Sequence, residues 1–156
     1  MIEPGGTADA ETVADRWVEL ATGQLAHGSH LLPDENRERI RDSLLRHAVA
    51  GTLFVAREDD DVVGFVTCSV ESGGYAQDVT RGLVENLYVA PAHRDAQLGE
   101  RLLQRAETAL RERGCDVVAL DVLADNEDAR RFYERLWYTP QRVELERVLD
   151  SGSDTD

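Results

Sequence analysis

The sequence has no lysine at all: its 17 basic residues are all arginine, and they face 31 carboxylates, for a formal net charge of −14. A chain of that sign lacks the basic field that a phosphodiester backbone needs, so nucleic acid is excluded as an expected partner and an anionic membrane surface is disfavoured. Cysteine is scarce too. Cys68 and Cys115 sit in the apolar stretches GFVTCSV and GCDVVAL, as buried thiols do in a reducing compartment, and neither is a catalytic candidate. No run approaches the ~20 apolar residues of a membrane span. The opening MIEPGGTADAE has neither the basic nor the apolar region of a signal peptide. A soluble, cytoplasmic protein is expected.

So large an excess of acid repels itself in dilute buffer. At molar salt the Debye length shrinks to ~3 Å, and the repulsion fades while the carboxylates still hold water and cations. The composition is therefore expected of a halophilic protein.

With 156 residues and 42% apolar side chains, the chain is long enough for one domain with one core. Val13, Trp17, Leu20, Ala21 and Leu25 recur at helical spacing, predicting a helix that ends near Gly28. Pro33, Asp34 and Glu35 open a second, with Ile40, Leu44 and Ala48 as its stripe up to Gly51. The β-branched runs 52–57 and 62–70, parted by an acidic segment, predict an antiparallel hairpin. A loop then leads to a strand over 83–89, which Pro91 stops. Leu98, Leu102, Leu103, Ala106 and Leu110 predict a helix closed by Gly114, and 117–122 reads as the strand that completes a parallel crossover. Ala129, Phe132, Tyr133 and Leu136 mark a last helix, 143–149 a last strand, and 150–156 a polar tail. The order ααββ, βαβ, αβ describes an α/β protein: a mixed, mostly antiparallel sheet with helices on both faces.

The chemistry gathers in 83–114, a strand, a short polar connection and a helix. Helix N-termini attract anions through amides that lack intrahelical partners. Gly99 admits a ligand close to the backbone there, and Arg94 adds charge. These residues resemble the central motif of the GNAT superfamily of acetyltransferases, a strand ending in a hydrophobic-Tyr-Val triplet followed by (R/Q)xxGx(G/A). Leu87, Tyr88, Val89, Arg94 and Gly99 occupy its positions. NEDARRFYERLWY, at 126–138, is similar to the family's NxxAxxFYxxLGF segment through Asn126, Ala129, Phe132, Tyr133, Leu136 and Tyr138. The resemblance covers residues 8–149 as a single domain. Two positions depart from it: Gln97 stands where the motif has its first glycine, and Trp137 replaces the glycine of LGF. A Cβ at 97 is expected to crowd a pyrophosphate or to require an unfavourable φ.

The resemblance implies direct transfer of an acetyl group from acetyl-CoA to a primary amine of a small molecule or peptide, with no metal. It also allows a homodimer. It implies that backbone groups of Leu87, Tyr88 and Val89 hold the pantetheine arm and the acetyl carbonyl. Arg94, Asp95, Ala96, Gln97, Leu98, Gly99 and Glu100 would cradle the pyrophosphate, and Asn126 would hydrogen-bond the pantetheine. Tyr133 takes the place of the tyrosine that protonates the departing thiolate. An alkyl ammonium titrates at ~10.4, so a carboxylate must help to form the nucleophile. Glu85 and Asp121 are the candidates, acids inside apolar strands whose burial would raise their pKa. Simple alternation places Glu85 on one face with Leu87 and Val89. His27 and His30 are expected toward the acceptor, a role the net charge biases to a cationic amine, and His47 and His93 carry no assigned role. Two alternatives stand beside the enzyme: a non-catalytic module of the same fold that binds an acyl-CoA or a partner protein, and an enzyme with a longer acyl donor.

Overall fold

A computed structural model describes residues 1–150, with the side chains of residues 95 and 96 outside the description. The tail expected at 150–156 lies outside the described residues beyond Asp150. Contacts divide the chain into two units, 1–125 and 126–156.

The first unit begins with a strand that the sequence pattern hides. β1 (Ile2–Pro4) pairs antiparallel with β2 (Leu53–Glu58), and a glycine-rich stretch then leads into α1 (Ala10–Leu25). Three residues, one of them a proline, are too few to show a period of two, but an edge strand tolerates proline. Arg57 clamps this edge by ion pairs to Glu3 and to Asp9, the latter at 2.8 Å. α2 (Arg37–Ala50) starts later than expected, because Asp34–Asn36 first form a 3-10 turn. Gly51, at φ 77°, ends it in the left-handed region. That conformation lets the Thr52 amide donate back to the His47 carbonyl at 2.9 Å and leads without a loop into β2.

β3 (Asp61–Val70) and β4 (Arg81–Val89) continue the antiparallel sheet, and β5 (Val117–Ala119) adds to β4 in parallel. The spatial order is β1-β2-β3-β4-β5. α1 and α2 cover one face, where Val13, Trp17 and Leu44 pack with Leu53, Val55, Phe65 and Tyr88. α3 (Leu98–Glu112) covers the other with Leu102, Leu103 and Leu110 fully buried. Two glycines let it lie flush: a Cβ on Gly64 would sit 3.1 Å from Leu102 Cδ1, and one on Gly82 would sit 2.7 Å from Leu110 Cδ1. The mixed sheet with helices on both faces is as expected. β5 is shorter than expected, ending at Ala119 instead of Val122.

The second unit holds α4 (Glu127–Arg135). Asn126 caps it, its side chain accepting from the Ala129 amide at 3.1 Å. The strand expected at 143–149 is not formed: residues 139–150 are neither helix nor strand. Val143 to Glu146 alternate apolar and acidic, and Val148 and Leu149 extend the stretch, but a pattern without a neighbouring ladder does not make a strand. Among the described residues no helix is long and apolar enough to cross a membrane.

Candidate functional site

The site is organised by the way β4 leaves its neighbours. Its first residues are held on both sides: Arg81, Gly82 and Leu83 pair with Val117, Val118 and Ala119 of β5, and with β3 opposite. Thr67 then pairs with Asn86, but Cys68 pairs with Val84, so Glu85 is an extra residue, a β-bulge. The bulge corrects the expected alternation. Leu87 lies opposite Val66, and Glu85 shares the α1/α2 face with Asn86 and Tyr88 instead of the α3 face with Leu87 and Val89. An extra residue is invisible to a reading by period.

Beyond the bulge, among the described residues, β4 keeps only β3 as strand partner. The Ala90 amide donates to the Val63 carbonyl at 2.8 Å, which fixes 63/90, 65/88 and 67/86 as the hydrogen-bonded pairs. The peptide groups of Leu87 and Val89 therefore point away from β3, to the side where β5 has already ended. Those of Tyr88 point into the sheet. Its ring is buried toward α1, and its hydroxyl donates to Glu19 at 2.8 Å. Burial foremost, with the Glu19 carboxylate, pushes the Tyr88 hydroxyl above the ordinary tyrosine range.

Arg94 returns to this strand end. Its Nε donates to the Val89 carbonyl at 2.8 Å and its guanidinium lies 5.6 Å from the Tyr88 ring centre, so only its Nη groups are left to meet an anion. A 3-10 turn over Pro91–Ala96 leads to Gln97 at φ 60°, ψ 20°. The residue in the glycine position has taken the left-handed conformation that glycine adopts freely, as expected of a side chain there. Leu98, Gly99 and Glu100 follow as the first turn of α3, where helix geometry provides no carbonyl for the amides. The side chains of Asp95 and Ala96 lie outside the described residues.

Glu85, partly exposed, is the candidate base that neighbouring side chains hold. It accepts from Ser69 Oγ at 3.0 Å, and His47 Nε2 of α2 lies 3.1 Å from its other oxygen. A cleft of about 420 Å³ opens here, lined by Ser43, Arg46, His47, Thr52, Ser69, Glu85 and Arg113. The expected rise in pKa is reversed. The hydrogen bond from His47, with that from Ser69, outweighs burial and holds the Glu85 carboxyl below the usual glutamate range. Asp121 lies past the end of β5 and is exposed. His27 sits beyond α1 at 4.0 Å from Asp125.

Sequence reasoning missed His47, Thr52 and Ser69. The signal for the first two was HAVAGT at 47–52: a glycine that closes a helix brings the residue after it back to the carbonyl five positions earlier. In the second unit, Tyr133 is half-buried between Phe132 and Tyr138, with ring centres 5.1 and 5.8 Å away, and burial pushes its hydroxyl up to about 12. Trp137, in the other glycine position, has φ 72°. Among the described residues, no three of His, Cys, Asp and Glu are grouped to hold a metal ion.

The sequence model of the Acetyltransferase (GNAT) family matches residues 15–137. The chain is 33% identical over 139 residues to a mycothiol acetyltransferase of Sanguibacter keddieii, covering 86% of this chain and 43% of that one. It is 29% identical over 101 residues to N-alpha-acetyltransferase 30 of Schizosaccharomyces pombe, covering 65% of each. It thus spans less than two thirds of either relative. Among solved structures, a GCN5-related N-acetyltransferase from Ralstonia eutropha superposes with a TM-score of 0.75 at 25% identity, covering 95% of this chain and 97% of that one. An aminoglycoside N-acetyltransferase solved in complex with CoA gives 0.73 at 18% identity, covering 95% and 93%, a likeness of fold.

Proposed function

Because the chain belongs to the GNAT acetyltransferase family, we propose that it transfers an acetyl group from acetyl-CoA to a primary amine of a small molecule or peptide by direct attack. The observation that carries this reading is the freed edge of β4, with a bulged carboxylate immediately before it. The outward peptide groups of Leu87 and Val89 offer a strand-like ladder to the amide-bearing arm of the cofactor. The amides of Leu98, Gly99 and Glu100, with the Nη groups of Arg94, face its pyrophosphate. Bound acetyl-CoA supplies the activated thioester.

Glu85 accepts the proton that the amine loses as its nitrogen forms the new bond to the carbonyl carbon and the carbon–sulfur bond breaks. The carboxylate is ionised at neutral pH and so able to accept, and its lowered pKa makes it a weaker base than an ordinary glutamate. Tyr133, which keeps its proton up to about 12, is the candidate donor to the departing thiolate, and the Asn126 side chain retains its NH₂ for the pantetheine. Asp121, exposed beyond β5, is the weaker candidate for the base. The composition supports a cytoplasmic, high-salt setting, and a homodimer is in keeping with the family.

The left-handed Gln97 and Trp137 favour a second reading, a module that binds an acyl-CoA without turning it over. Calorimetric titration with acetyl-CoA in molar KCl, followed by thiol release across a panel of amines, separates the two. Binding with turnover is expected. Binding without thiol release from any amine favours the module, and absence of binding at millimolar acetyl-CoA overturns both.

A further inference from the structure

We propose that His47 is the positioning residue for Glu85, its Nε2–H held on the carboxylate while the Thr52 hydroxyl satisfies Nδ1 whichever charge the ring carries. The inference rests on the reading of Glu85 as the proton acceptor. It starts from a tautomer argument. Glu85 Oε1 lies 3.1 Å from His47 Nε2, and an acceptor-only carboxylate at that distance requires the hydrogen on Nε2, since the other neutral tautomer sets lone pair against lone pair. The second ring nitrogen, Nδ1, lies 2.7 Å from Thr52 Oγ1. A hydroxyl is both donor and acceptor. With the ring neutral, Thr52 donates to the bare Nδ1. With the ring charged, Nδ1–H donates to Oγ1, and the Thr52 hydrogen turns to the His47 carbonyl 3.4 Å away. In both states Nε2–H stays on Glu85.

Thr52 is fixed for this. It is buried, its amide donates to the His47 carbonyl at 2.9 Å, and its carbonyl accepts from the Cys68 amide at 3.1 Å. Gly51 makes the arrangement reachable, because its left-handed turn returns the chain to the last turn of α2. A partner on Nδ1 that only donated or only accepted would serve one charge state and orphan the other. The bulge gives the array its purpose. It inserts a carboxylate into the middle of a strand, where one left free would rotate and draw water. Here Ser69 of β3 and His47 of α2 hold its two oxygens.

Among the described residues, Arg46 of α2 and Arg113 at the end of α3 line the cleft with the pair, and Cys68 of β3 interacts with Glu85 from the other face of the sheet. Arg113 donates to the carbonyls of Ala50 and Ala109. The bond from His47 is the largest cause of the low carboxyl pKa, and burial opposes it. Without the ring, burial gains weight and the carboxyl protonates at higher pH, which removes the base from the acid side of the pH range.

Nitrogen-15 NMR of the intact protein, labelled at histidine, reads the tautomer without any substrate. Neutral His47 is expected to carry its hydrogen on Nε2. Thr52→Val, which leaves Nδ1 without a partner, is expected to shift the Nδ1 resonance while the hydrogen stays on Nε2, and Thr52→Ser to restore the parental spectrum. Carbon-13 titration of the Glu85 carboxyl, assigned with Glu85→Gln, is expected to move to higher pH in His47→Ala and to stay in place in Thr52→Ser. A neutral His47 protonated on Nδ1 in the parent, or a Glu85 titration that His47→Ala leaves where it was, overturns the inference. Thiol release by Glu85→Gln tests the underlying reading separately: parental turnover there removes Glu85 as the base whatever the NMR shows.

Discussion

The two ends of β4 are made from one continuous strand, yet they do different work. Arg81 to Leu83 are zipped between β3 and β5, and their peptide groups are spent on neighbours. Leu87 to Val89 have the same β3 partner but, among the described residues, no strand on the far side, where the Val89 carbonyl accepts from Arg94. Between them stands Glu85, the extra residue. The first end is scaffold, and on the proposed reading the second is a template for a ligand that completes the ladder, as an added strand would. Where a sheet stops pairing, it keeps hydrogen-bonding capacity that a helix or a closed barrel has already used.

The sharpest way to break this comparison is to disarm the residue at its hinge. Glu85→Gln keeps the shape, exchanges one acceptor oxygen for an NH₂ donor and cannot accept the amine's proton, and kcat is expected to fall about 100-fold or more. Acetyl-CoA affinity, which depends on the freed edge beyond the bulge, is expected to stay within about twofold, a change of roughly 0.4 kcal/mol. Thiol release and calorimetry on the same variant check the pair. An equal loss in both would mean that the bulge builds the edge rather than arming it.

The next effect compares the glycines under α3. A Cβ on Gly64 would stand 2.8 Å from the Tyr88 carbonyl oxygen, a backbone atom of the freed end that cannot retreat without moving β4. A Cβ on Gly82 would meet Leu110 Cδ1 at 2.7 Å and its Cδ2 and Cγ at 3.0 Å, side-chain atoms that can shift without moving the backbone. Gly64→Ala is expected to destabilise by about 2–3 kcal/mol and Gly82→Ala by about 1 kcal/mol, within the usual span for overpacking. Urea unfolding checks the order. A larger loss from Gly82→Ala would place the rigid end of β4 at the wrong side of the bulge.

This contrast marks what a sequence can reveal. The helix stripes, the central strands and the motif positions from Leu87 to Gly99 were legible because burial imposes a period and glycine imposes a conformation. β1 was not, since three residues carry no period. The strand expected at 143–149 had the pattern without the partner. Within the site, Glu85 was found as an acid among apolar residues, but its face and the direction of its pKa were both read wrongly. Both errors have one origin: the bulge turned the carboxylate toward His47, 38 positions away in sequence, and no local pattern records that meeting.

Gln97→Gly probes the far border of the freed end. The left-handed conformation costs a side chain about 1 kcal/mol, and glycine's greater freedom in the unfolded chain returns most of that. Unfolding stability is therefore expected to change by less than about 0.5 kcal/mol, while acetyl-CoA binding tightens about fivefold, worth ~1 kcal/mol, as the Cβ no longer crowds the approach. Calorimetry reads the second change and thermal unfolding the first.

The smallest expected effect is on acid stability, and it isolates what the bulged residue contributes to the fold alone. The hydrogen bonds from His47 and Ser69 lower the Glu85 carboxyl from the ordinary glutamate value of 4.5. The folded chain therefore holds this proton less readily than the unfolded chain, which makes its contribution present above about pH 4.5 and lost as pH falls through the lowered value. The side chain is 41% exposed, so solvent screens much of the gain. The stability difference between the parent and Glu85→Gln is expected to be small and constant near neutrality and to shrink only on the acid side of that value. Urea midpoints of the two proteins across that range check it. A difference that instead grew with acid would mean that burial governs the carboxyl, and Glu85 would then belong with the buried scaffold of the strand.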